Sequence, residues 1–110
     1  MENTSALSPA FLTFLKEAPA QAAAWTGAAQ ALGTASELEP KTEHLAYLAV
    51  LSALRLHDGL AFHVALARKA GATRGEIIGA VLVGLPAAGN AVVSALPIAL
   101  AVYDGAEPAA

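Results

Sequence analysis

The sequence predicts an all-α fold: a single-domain bundle of about six helices that associates with copies of itself. Three observations carry this expectation. Alanine, the strongest helix former, supplies about a quarter of the 110 residues. No run alternates apolar and polar residues between turn signals, as a half-buried strand would. Hydrophobic residues make up 56% of the chain and charged residues 14%, against roughly 25% charged in ordinary soluble domains. So small a chain has much surface for its volume. Part of that surface must be covered, by other subunits or by lipid.

The first helix is expected over 8–17, with Ser8 as N-cap and Pro9 in the first turn. The second runs from about Pro19 to Leu32 and stops at Gly33. After a linker over 34–39, the third spans about Pro40 to Arg55. The fourth spans about Asp58 to Ala70, with Asp58 as N-cap and Gly71 as its stop. The third and fourth are expected to pair at the centre. The fifth opens at Thr73, where Thr73 and Glu76 match the T-x-x-E capping box, and ends near Pro86. The sixth runs from about Asn90 to Tyr103, followed by a frayed tail over 105–110.

No charge occurs between Ile77 and Tyr103. A membrane span needs about 20 apolar residues, but Pro86, Gly89 and Asn90 split this stretch into pieces too short to cross. No Lys/Arg cluster or tryptophan belt flanks it. Burial of helices five and six at a subunit contact is the better reading. The small residues Gly79, Ala80, Gly84, Ala91, Ser94 and Ala95 would permit close approach.

Several function classes fall away. With no cysteine, disulfides, thiolate metal sites and cysteine nucleophiles are excluded. The net charge of -3 offers no basic patch for nucleic acid. Ser94 lies outside any G-x-S-x-G turn, and no glycine-rich phosphate loop is present. Glu2, without an early Lys or Arg, does not suit an export signal, so a cytoplasmic protein is expected. No cofactor and no membrane partner is expected.

Residues 41–56 read KTEHLAYLAVLSALRL and 57–77 read HDGLAFHVALARKAGATRGEI. This text is similar to the core of the carboxymuconolactone decarboxylase, or alkylhydroperoxidase-D-like, family. There a K-x-x-E-L-x-x-L-A-V helix leads to a turn and a histidine-bearing helix that ends in A-x-x-x-G-A-T-x-x-E-I. The resemblance covers about residues 38–103 and implies one such domain over 1–110, assembled as a homo-oligomer, commonly a trimer or hexamer. Counting back from His63, the cysteine pair of peroxidase-type members would fall at Leu56 and Gly59. The proton-relay glutamate would fall at His44, beside Glu43. Thiolate attack is the chemistry of a thiol peroxidase, so that activity is rejected. The resemblance to the decarboxylase branch, which lacks the pair, survives.

His63 is therefore the first catalytic candidate, as a proton carrier near neutral pH; a core histidine with one hydrogen bond is the competing reading. His44, or Glu43, is the candidate partner, although each also suits a solvated first turn. Arg55 is a candidate carboxylate anchor, because its planar fork matches two oxygens. His57 and Asp58 are candidate substrate-binding residues at the turn. A metal on His44, His57 and His63 is conceivable, but residues 57 and 63 would lie on opposite sides of a helix unless His57 lies in the turn, and no metal is expected. Trp25, Phe11 and Phe14 suit core or interface packing. Two functions follow. One is a proton-transfer decarboxylase, isomerase or hydrolase acting on a small organic acid or lactone. The other is a non-catalytic oligomeric ligand-binding or scaffold protein that kept the fold.

Overall fold

A computed structural model describes residues 7–105. The expected tail over 106–110 and the start of the chain lie outside the described residues. Those described are all helical, with no strand among them. The chain forms two compact units, Met1–Glu39 and Pro40–Ala110.

The first unit is a pair of packed helices, α1 (Pro9–Glu17) and α2 (Pro19–Ala35). Ser8 caps α1 as expected, its hydroxyl accepting the Phe11 N–H at 3.1 Å. Gly33 does not stop α2, which runs two residues further, because a glycine within a helix costs only about 1 kcal/mol. Ser36 turns extended instead and closes the helix on the Leu32 and Gly33 carbonyls. Phe11 and Phe14 meet edge to face at 6.0 Å. Trp25 is 58% exposed and is not a core residue.

The second unit holds α3 (Pro40–Ala53), α4 (Leu60–Lys69), α5 (Arg74–Leu82), α6 (Leu85–Ala88) and α7 (Leu96–Tyr103), with 3-10 segments at His57–Gly59 and Gly89–Ala95. As expected, α3 packs on α4; it also packs on α5, and α7 packs on α4 and α5. Leu48, Leu60, Val64, Ile77 and Val81 are fully buried between them. Ala67 on α4 and Ala99 on α7 are also fully buried and let those helices close in. Ala95 is buried within this unit, and a Cβ added at Gly79 would meet nothing within 4 Å of it.

The helix ends follow local chemistry. Thr73 accepts the Glu76 N–H at 3.0 Å while Glu76 accepts the Thr73 N–H at 2.9 Å, completing the capping box. Lys41 pairs with the same glutamate at 3.1 Å, tying α3 to the start of α5. Arg74 binds Asp104 through two hydrogen bonds of 3.0 and 3.1 Å. Gly71 ends α4 at φ 99, with the Ala72 N–H bonded to the Ala67 carbonyl and the Gly71 N–H to Arg68. Tyr103 donates to the Ala72 carbonyl at 3.0 Å, under the Arg68 guanidinium.

Three expectations need correction. Asp58 is not an N-cap: a 3-10 turn precedes α4, its N–H groups bond the Leu56 and His57 carbonyls, and no side chain caps the helix. Helix five ends at Leu82, and Pro86 sits in the first turn of the separate α6. Helix six is two pieces. Pro97 has no N–H to continue the preceding winding, so α7 starts afresh at Leu96 behind a 3-10 segment.

The apolar run Arg74–Tyr103 has the length and composition of a membrane span. In the fold it breaks after Leu82 and again at Gly89 (φ 75), and α5 lies against α7. Its longest α-helical piece has nine residues, roughly 14 Å at 1.5 Å per residue, about half a bilayer core. Ile77, Val81, Val92, Ala95 and Ala99 serve the core of this unit, while Val83, Leu85 and Val93 remain exposed.

Candidate active site

An open cleft of about 390 Å³ lies where the end of α3, the 3-10 turn and α4 meet. Tyr47, Leu51 and Arg55 line it from α3 and its C-terminal turn, Leu56 to Gly59 from the turn, and His63 from α4. Helical spacing explains the α3 side: positions 47 and 51 lie four residues apart on one face, and Arg55 follows in the turn beyond the helix end.

His63 is half-buried. Its ring stacks on Tyr47 at 4.2 Å and meets Phe62 edge-on at 5.3 Å. Its Nδ1 is buried and has no hydrogen-bond partner, so the reading of a satisfied core histidine does not hold at this atom. Burial, and secondarily the like charge of His44, lower its pKa from 6.5 to about 4. The ring is therefore neutral at pH 7.

His57 Nε2 lies 3.0 Å from Ser94 Oγ. The Ser94 hydroxyl already donates to the Ala91 carbonyl at 2.6 Å. A hydroxyl has one proton, so in this geometry Nε2–H of His57 donates to Ser94. Arg55 is exposed, and its side chain has no ion pair or hydrogen bond among the described residues. Asp58 is exposed on the same rim.

Of the sequence candidates, the cleft brings together His63, Arg55, His57 and Asp58. His44 and Glu43, both half-buried in the first turn of α3, do not line it, and His44 reaches His63 only as a charge. Among the described residues no three His, Cys, Asp or Glu side chains converge as a metal site, so His44, His57 and His63 form none.

The family model for the carboxymuconolactone decarboxylase family matches residues 19–101. The chain belongs to the carboxymuconolactone decarboxylase family. No curated protein and no solved structure gives a significant match to it.

This member of the family contains no cysteine. Leu56 and Gly59, the positions where the resemblance puts the peroxidase-type pair, both line the cleft. A Cβ at Gly59 would come 3.3 Å from the Leu51 side chain, so even a small side chain there would press on it. Sequence reasoning missed Tyr47 and Ser94. Tyr47 carried no motif, and it is 47% exposed, but its ring stacks on His63. Ser94 carried no sequence signal, since its contact with His57 spans 37 residues.

Proposed function

We propose that the protein is a proton-transfer enzyme of the decarboxylase or isomerase type, acting on a small organic acid or lactone in the cleft beside His63. The observation that carries this is a neutral imidazole, His63, whose ring lines a cleft that also presents Arg55, His57 and Asp58 and whose buried Nδ1 has no partner. A neutral imidazole can take a proton from a carbon next to a carbonyl, leaving the electron pair as an enolate. Burial makes the resulting imidazolium acidic, so in isomerisation it readily returns the proton to the substrate at a second carbon. In decarboxylation no proton is first removed: the carboxylate leaves as carbon dioxide, its bonding pair becomes the enolate, and a proton drawn from water through His63 is delivered to carbon, leaving hydroxide to solvent. Arg55, His57 and Asp58 are the substrate-binding groups of this reading. His44 acts at a distance, by disfavouring charge on His63. The test is turnover of candidate lactones by wild type and His63→Ala; equal rates remove His63 from the mechanism.

The second reading is a non-catalytic oligomeric binding or scaffold protein. Two observations favour it: Leu56 and Gly59 are chemically inert, and Glu43 and His44 lie off the cleft lining. Saturable binding of a lactone without turnover would select it. Under either reading the protein acts as a cytoplasmic homo-oligomer, a trimer or hexamer. The low charged fraction and the exposed Val83 and Leu85 support self-association.

A further inference from the structure

The C-terminus of α3 carries a backbone conformation at odds with its residue. The Leu56 N–H bonds to the Leu51 carbonyl at 2.9 Å and the Arg55 N–H to the Ser52 carbonyl at 3.3 Å. This closure places Arg55 at the position that must turn left-handed, and its φ is 58. Glycine is the usual occupant there, because any Cβ crowds the following carbonyl. The same chain shows the ordinary solution: α4 closes through the same pair of bonds with Gly71 at φ 99. Among the described residues, Arg55 alone adopts positive φ without being glycine.

The strain is not offset by a bond that Arg55 makes. Its guanidinium pairs with nothing among the described residues, although Asp58 stands on the same rim. A left-handed turn with a neighbouring carboxylate would be served as well by glycine. The side chain lines the cleft, three residues of whose wall (Leu51, Leu56 and Tyr47) are apolar or aromatic.

We propose that Arg55 is the specificity-determining anchor of the cleft, held in a strained conformation so that its planar fork receives the single carboxylate of a ligand whose apolar body packs against Tyr47 and Leu56. This deepens the proposed function and rests on the same cleft, but it concerns recognition, which can be read without turnover. A carboxylate offers the charged pair of oxygens that the guanidinium fork binds, which a neutral amide lacks; phosphate also fits the fork but carries more negative charge, which Asp58 opposes. Asp58 opposes a second negative charge on the ligand, which favours a monocarboxylate.

The experiment uses the full chain, with benzoate, its neutral analogue benzamide, adipate and inorganic phosphate as probes. Binding is followed by calorimetry and melting by circular dichroism, for wild type, Arg55→Gly, Arg55→Lys and Asp58→Asn. Benzoate is expected to bind wild type at least about tenfold tighter than benzamide, adipate or phosphate does, and Arg55→Gly is expected to lose that preference. Arg55→Gly should also melt higher, on the order of 4–8 °C, because the left-handed turn is relieved. Arg55→Lys keeps the strain and the charge without the fork, and should melt as wild type does and bind benzoate with intermediate strength. Asp58→Asn should bind benzoate more tightly. Undiminished benzoate binding by Arg55→Gly, no binding of benzoate by wild type, or a melting point for Arg55→Gly at or below wild type overturns the proposal. Loss of turnover in His63→Ala with benzoate binding intact separates this result from the fate of the proton-transfer reading.

Discussion

In the proposed function His63 is the residue whose charge state decides what the cleft can do. Burial withholds solvent from the imidazolium, and His44 adds a like charge, so the proton is refused until about pH 4. If the neutral ring is the working form, activity should hold steady from pH 7 down and fall with a midpoint near 4, where an unperturbed histidine would fall near 6.5. His44→Gln removes the smaller of the two causes and should move that midpoint upward. A rate profile over pH 3.5–8 for both proteins checks this. The same shift acts on stability. Between about 4 and 6.5 the unfolded chain binds a proton at this histidine that the folded chain does not, so stability falls as pH drops through that window and levels off below it. Replacing His63 with Gln should flatten this slope in urea unfolding measured at pH 4, 5, 6 and 7. An unchanged slope would mean that the ring is better solvated than the stacked contact with Tyr47 implies.

At the scale of elements, each boundary set by a local rule could be read from the sequence. The Ser8 cap, the Thr73/Glu76 box and the Gly71 stop depend on residues within five positions of one another, and all three form. Thr73→Ala should therefore lower stability by about 1 kcal/mol through loss of the cap at α5, seen as a lower urea midpoint with an unchanged denaturant slope. Glu76 is held ionised below the usual carboxylate range, first by the Thr73 N–H and then by Lys41, so the cap should persist into mildly acidic buffer. The turn between α3 and α4 was illegible for the opposite reason. A left-handed Arg55 violates the local rule, and a 3-10 turn over His57–Gly59 satisfies N–H groups that Asp58 was expected to cap. The site was legible to the same degree. His63, Arg55, His57 and Asp58 could be nominated from residue type and register, but Tyr47 and Ser94 join them through packing between elements distant in sequence. Glu43 and His44 are nominated by the family resemblance, and the first turn of α3 carries them off the cleft lining.

At the scale of the whole molecule, the apolar surplus is only partly absorbed by the fold. The uncharged stretch after Glu76 gives Ile77, Val81, Val92, Ala95 and Ala99 to the core, yet Val83 stays 67% exposed and Leu85 39%. On α3, Val50 and Leu54 are 53% and 62% exposed. Isolated exposed apolar residues are ordinary, but a chain with 14% charged residues has few groups with which to keep such positions soluble as a monomer. We expect the chain to self-associate through the end of α5 and the start of α6. Light scattering on the eluting protein should give a mass that is a multiple of 11.0 kDa. Val83→Asp should reduce that mass toward the single chain while leaving the helical signal intact, since a substitution at so exposed a position changes monomer stability by only about 0.5 kcal/mol. Dissociation by Val50→Asp but not by Val83→Asp would move the contact to the outer face of α3. A wild-type mass of 11.0 kDa at micromolar concentration, in buffer without detergent, would leave these apolar positions facing water and remove self-association as the explanation of the composition.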